Sequence, residues 1–189
     1  MKQDNIGKLV VVLTIICVIS AFALALVYNV TKEPIAKQKR LEMIKAIKSV
    51  LPSSAVNDPV KDKVTIEKKD IYIGKDKNNK VTGVAFKVYS KEGYGGTIEI
   101  MLGINCKDNS VNGIEILSMS ETPGLGAKIT EDWFKNQYKK RNLKNTNWKV
   151  KKDGGDIDQI SGATISPRAV TKAVYNGLKF FEKYKNKIK

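Results

Sequence analysis

Histidine is absent from this chain of 189 residues, and that one absence removes a wide band of chemistry. Ser-His-Asp and Cys-His nucleophilic catalysis, histidine-ligated zinc and haem held by an axial histidine all require an imidazole. Cysteine is scarce: Cys17 stands inside an apolar run and Cys106 in the body of the chain. Two cysteines so placed supply neither a disulfide framework nor a thiolate iron–sulfur or zinc site. Any redox chemistry here has to borrow an organic cofactor. Arginine-rich stripes interleaved with aromatics are also missing. Lys and Arg total 34 against 19 Asp and Glu, a formal charge of +15, but the lysines are scattered through every segment. That distribution describes a solvated basic surface and argues against nucleic-acid binding.

What is present begins with an anchor. Leu9–Val30 is a run of 22 residues without a charge, bracketed by Lys8 and Lys32. As a helix it extends about 33 Å, close to the hydrocarbon thickness of a bilayer. Ala21-Phe22-Ala23 and Ala23-Leu24-Ala25 resemble small-residue cleavage sites, yet the run is longer than a signal-peptide core, which favours an uncleaved span. Six Lys or Arg residues (Lys32, Lys37, Lys39, Arg40, Lys45, Lys48) lie in the 20 residues after the run, against Lys2 and Lys8 before it. Charge bias alone would hold the larger part of the chain inside, but long domains cross largely regardless of charge, so orientation stays open at this level.

After Pro34, Leu41, Ile44, Ile47 and Leu51 recur at helical spacing until Pro52. They predict an amphipathic helix that packs on a domain or lies at the membrane surface. The period then drops to two. Val64–Ile66 and Ile71–Ile73 are short strand candidates, and Asp76–Lys80 reads as a turn. Val84, Phe86 and Val88 alternate, as do Ile98, Ile100, Leu102 and Ile104, and then Ile114 and Ile116, with Gly93–Gly96 and Lys107–Ser110 between the runs. Short polar links between successive strands imply hairpins and a largely antiparallel sheet. A short helix carrying Trp133, Phe134 and Tyr138 is expected to open at Thr130 or Glu131. A final helix is expected from about Pro167 to Tyr184, with Val170, Val174, Leu178 and Phe181 on one face. The class is α+β. The chain divides into a flank (1–8), a transmembrane helix (9–30), a juxtamembrane amphipathic helix (31–52) and a domain (53–189).

Two segments carry chemistry. In Asp158–Pro167, Ser166 can cap a helix and Pro167 can be its first residue. Thr164 then sits just before a helix N-terminus, whose unpaired N–H groups and dipole favour a phosphate, while Gly162 and Ala163 keep bulk away from its hydroxyl. Capping chemistry alone is equally consistent with an ordinary loop-to-helix turn. Glu121–Lys128 lacks the Gly-Lys-Ser/Thr of a Walker loop, and Ile129 stands where a dinucleotide fingerprint needs its third glycine. It reads as a Pro-Gly turn whose second glycine lets backbone approach a flat ligand.

Ser161-Gly162-Ala163-Thr164 resembles the flavinylation motif of the FMN-binding domain family, and Glu121–Lys128 is similar to that family's second loop. Gly93-Tyr94-Gly95-Gly96 with the strand to Gly103 is similar to the pattern that precedes that loop. Behind a single span, the ordered set resembles the RnfG family, the flavin-carrying subunits of the Rnf ferredoxin:NAD+ oxidoreductases. The corresponding subunit of the sodium-pumping NADH:quinone reductase is a relative, and the short chain favours the Rnf side. The resemblance covers about Tyr94–Val174 and the anchor; Ser53–Lys80 match nothing. It implies a cell-membrane, single-pass protein with an extracytoplasmic FMN-binding domain. FMN is then joined through its phosphate to Thr164 of the Ser161-Gly162-Ala163-Thr164 motif by a flavin transferase that uses FAD. Glu121, Thr122, Gly124 and Leu125 would flank the flavin ring or its ribityl chain, and the partners would be the other Rnf subunits. Two alternatives stay open: a tethered binding or sensor domain without redox chemistry, and a stand-alone extracellular covalent flavoprotein.

Overall fold

A computed structural model describes residues 4–188 of the chain, which divides into two compact units at Glu42/Met43. Helix α1 runs Asp4–Val50, with Pro34 inside it. Its Leu9–Val30 stretch is apolar all round: Leu9, Ile16, Phe22, Leu26 and Val30 are all exposed. A helix without a polar face is stable only where something apolar surrounds it. Among the described residues α1 alone is long and apolar enough to cross a membrane, with a mean hydropathy of 3.1 over its most apolar stretch.

The second unit is an α+β domain, as the period-two runs imply. Strands β1 (Lys63–Ile66), β2 (Lys69–Lys75), β3 (Val81–Gly93), β4 (Gly96–Asn105) and β5 (Ser110–Ser118) form a five-stranded antiparallel sheet in the order of the chain. Each successive pair is a hairpin, and register sets Val84 beside Ile104, Phe86 beside Leu102, and Leu102 beside Ile114. A 3-10 turn (Gly126–Thr130) and the short helix α2 (Asp132–Asn136) follow, then a long irregular stretch and helix α3 (Ile165–Ile188).

Both faces of the sheet are covered. One face presents Ile71, Val84, Phe86, Val88, Ile98, Ile100, Leu102 and Ile104 to α3, which returns Val170, Val174, Leu178 and Phe181. Each such side chain fully removed from water stabilises the fold by about 1.5–3 kcal/mol. Phe134 and Tyr138 close the edge of this core, and the Tyr138 hydroxyl shares a hydrogen bond of 2.8 Å with Thr171 of α3. Burial pushes the Tyr138 phenol above its ordinary pKa.

The other face takes the last turns of α1. Ala46, Ile47, Val50 and Leu51 pack with Tyr72, Ala85 and Met101, while Leu41 stays exposed. Of the two settings open to the helical stripe after Pro34, its C-terminal part therefore takes domain packing. The approach is close because Gly103 faces the helix end: a Cβ there would stand 1.9 Å from the Val50 carbonyl oxygen. That carbonyl accepts a hydrogen bond of 2.9 Å from the Asn112 side chain, which satisfies one of the orphan acceptors of a helix C-terminus.

Candidate functional site

Three segments far apart in the chain meet at one end of the β3–β4 hairpin. The first is the hairpin tip, Tyr94-Gly95, between the paired Gly93 and Gly96. The second is the loop that leaves β5, Glu121–Gly126. Its Leu125 N–H donates to the Thr122 carbonyl at 3.2 Å, closing a turn with Pro123 and Gly124 at the two central positions. Gly124 has φ +74°, the left-handed value that a type II turn requires at its third residue. The third is the start of α3.

Thr164 occupies the cap of α3. Its carbonyl accepts the Arg168 N–H at 3.2 Å, the first bond of the helix. This corrects the local reading of the sequence, in which Ser166 is the cap and Pro167 the first helical residue. The helix begins two residues earlier because the Ser166 hydroxyl is engaged elsewhere: it donates to Glu121 Oε2 at 2.5 Å. Pro167 is tolerated because the first-turn N–H groups have no intrahelical acceptor in any case. The Thr164 hydroxyl is half-buried, and among the described residues it makes no hydrogen bond. The N–H groups of Ile165 and Ser166 point out of the same helix end.

Glu121 ties the segments together. It is only 6% exposed, and its two oxygens are divided between two donors. Oε1 accepts the Gly95 N–H of the hairpin tip at 3.1 Å, and Oε2 accepts the Ser166 hydroxyl of α3. The loop can lie this close to α3 because residue 126 has no side chain: a Cβ there would be 2.5 Å from both Glu121 Oε2 and Ser166 Oγ. A buried carboxyl group needs such hydrogen-bond partners.

The result is a cleft of about 340 Å³ in which Glu121, Thr122, Leu125, Gly162, Ala163 and Thr164 come together. Gly124 and Ser161, also expected at the site, do not line it and sit in the turns that shape its edges. Tyr94, Gly126, Ile165 and Ser166 line it too and were not expected to. Tyr94 was signalled by the Gly93–Gly96 turn and Gly126 as the second glycine of its loop, the one expected to let backbone approach a ligand; Ile165 had no such signal. A larger cleft of about 770 Å³ lies at the opposite end of the hairpin, around Lys80, Thr82 and Lys107. There Asp76 and Asn105 are bonded to the backbone of their own turns, so the chemistry stays with the smaller cleft.

The stretch before Thr164 is pinned to α3. Arg168 donates two hydrogen bonds of 2.6 Å to Asp153, whose carboxyl this guanidinium holds below the usual range. Near the mouth, Lys172 of α3 pairs with Glu92 at the end of β3. Arg168 and Lys172 are thus both committed to acids, which leaves the helix end itself to receive an anion.

Residues 93–179 match the FMN-binding domain family, and residues 1–50 match the family described as the RnfG N-terminal region. The chain is 36% identical over 179 residues to the G subunit of the ion-translocating oxidoreductase complex of Cereibacter sphaeroides, covering 88% of this chain and 80% of the relative. It is 36% identical over 178 residues to the protein of the same name from Vibrio vulnificus, covering 87% and 83%. The chain belongs to the RnfG family of ion-translocating oxidoreductase complexes. Its fold is shared by the crystal structure of Shewanella oneidensis NqrC, with a TM-score of 0.52, 21% identity and 71% of each chain covered. In this RnfG-family chain every residue of the cleft, from Tyr94 to Ser166, falls inside the FMN-binding domain match. Residues 51–92, which hold β1, β2 and most of β3, lie between the two family matches.

The donor set suits FMN. A hydroxyl without a partner and two free helix N–H groups meet the needs of a phosphate group. The apolar lining beside them, with Leu125 44% and Ile165 45% exposed, suits a flat aromatic ring.

Proposed function

We propose that this chain is the flavin-carrying electron-transfer subunit of a membrane-bound, ion-translocating ferredoxin:NAD+ oxidoreductase, with FMN joined by a phosphoester to Thr164. The observation that carries the reading is the Thr164 hydroxyl, unbonded at the mouth of a cleft and at the cap of α3, inside the FMN-binding domain match. The attachment balances with FAD as donor and a flavin transferase as catalyst. The Thr164 Oγ–P bond forms as the P–O–P linkage of FAD breaks, AMP leaves, and the hydroxyl proton goes to the AMP phosphate or to water. Bound FMN supplies one- or two-electron chemistry at N5 and C4a, which a phosphate tether leaves unmodified.

The chain's own residues do the rest. The Ile165 and Ser166 N–H groups and the α3 dipole hold the phosphate, while Gly162 and Ala163 admit it without a clash. Glu121, Thr122, Gly124 and Leu125 form the loop beside the ring, and Ser161 opens the turn that presents the motif. The domain faces the extracytoplasmic side, where a covalent link keeps a cofactor that no free pool would replace. Its partners are the other subunits of the complex. Protein made alongside a flavin transferase is expected to give a fluorescent band on a denaturing gel and a mass increase of one FMN less water. Thr164→Ala abolishes both while the fold survives, and Thr164→Ser keeps part of the label. A flavin label that persists in Thr164→Ala overturns the assignment.

A further inference from the structure

A ring held only through a phosphate and a flexible ribityl chain sweeps a wide volume, so a second contact has to fix where it points. The hairpin tip supplies a candidate. Tyr94 is 72% exposed, yet it lines the same cleft as Thr164. Its ring has no aromatic partner, and its hydroxyl makes no hydrogen bond among the described residues. Tyr72, Tyr138 and Tyr184, in contrast, are buried in the cores. Tyr89 is exposed as well, but beside Met43 and Glu99, away from the cleft.

The tip that carries Tyr94 does not swing freely. Gly95 lies so close to the loop that a Cβ would stand 1.8 Å from the Ser120 carbonyl oxygen. Its N–H is held by Glu121, and Glu121 is held by Ser166, two residues after Thr164. The backbone that carries the Tyr94 ring and the helix end that carries the attachment point are therefore held by one bracket. Between them the lining is apolar, from Leu125 and Ile165. A planar π-system fits such a slot by offset stacking on the phenol, with aliphatic contact to the remaining surface.

We propose that Tyr94 is a positioning residue for the flavin, its ring covering one face of the isoalloxazine. This rests on the reading of Thr164 as the attachment site. A phenol in van der Waals contact with a flavin donates an electron to the excited ring and quenches its fluorescence, whereas a phenyl ring stacks without quenching. The test uses the full-length chain in detergent, made alongside a flavin transferase, in three forms: wild type, Tyr94→Phe and Tyr94→Leu. Intact mass first establishes one FMN per chain. Time-resolved flavin fluorescence is then expected to lengthen several-fold in both variants. The visible circular dichroism of the flavin, which reports the asymmetry of its surroundings, is kept in Tyr94→Phe and altered in Tyr94→Leu. A labelled set with equal lifetimes overturns the proposal, and so does a Tyr94→Leu dichroism spectrum identical to that of wild type. A wild-type chain of unmodified mass overturns the flavin reading and this inference with it.

Discussion

Glu121 shows how much one side chain decides here. A carboxylate in a loop looks like a solvated surface group, but this one is buried and joins the hairpin tip to the start of α3. Removing it leaves the Gly95 N–H and the Ser166 hydroxyl without acceptors, which costs about 1–3 kcal/mol. Glu121→Ala is therefore expected to lower Tm by several degrees, since about 1 kcal/mol moves the midpoint of a domain this size by roughly 4 °C. Ser166→Ala strips Glu121 of one donor, so the two substitutions share an interaction. A double-mutant cycle by thermal denaturation is expected to be non-additive by more than about 0.5 kcal/mol, and strict additivity would show that the bond contributes nothing. None of this was legible in the sequence. Ser166 suited a cap on local grounds, and its partner stands 45 residues away.

At the scale of elements, the loop Glu121–Gly126 and the stretch before α3 have separate duties. Gly124 lies in the left-handed region with open space around it, so a side chain there meets no neighbour and only the backbone suffers. A β-branched residue in that conformation costs about 1–3 kcal/mol. Gly124→Val is expected to leave Thr164 open to flavinylation while slowing ferredoxin-dependent NAD+ reduction by membranes. Normal flavin content together with a wild-type rate would show that the loop does not position the cofactor. The link between Asp153 and Arg168 has a different signature. The folded pKa of Asp153 is depressed, so its contribution is present above the unfolded carboxylate pKa and is lost as pH falls through the lower folded value. Amide protection across residues 150–160, taken relative to the intrinsic exchange rate at each pH, is thus expected to hold through neutral and mildly acidic pH and to fall only below the usual carboxylate range. Asp153→Asn brings the loss of protection to neutral pH, and unchanged protection in that variant would remove the pair from the account.

The whole molecule joins an apolar helix to a basic domain, and each imposes a different behaviour. With the apolar surface of Leu9–Val30 exposed, the chain is expected to fractionate with membranes and to resist extraction by high salt, which screens charge but does not weaken burial. Protein recovered from membranes is expected to retain Leu9–Val30, and protease added outside the cell is expected to reach the domain. A soluble product beginning near Leu24 or Leu26 would identify a cleaved signal instead. The sequence by itself determined the apolar run, the five strands, the last helix and the motif around Thr164. All of these rest on residues adjacent in the chain, whose two-fold or helical period and turn chemistry need no partner elsewhere. Tertiary structure alone decided that α1 ends against Gly103, that α3 begins at Ile165 with Thr164 as its cap, and that hairpin tip, loop and helix close on one cleft. Those outcomes depend on contacts between residues such as Gly95 and Glu121, 26 positions apart, or Val50 and Asn112, 62 apart. Such groups meet only once the sheet has set its register, and no local pattern records where they will land.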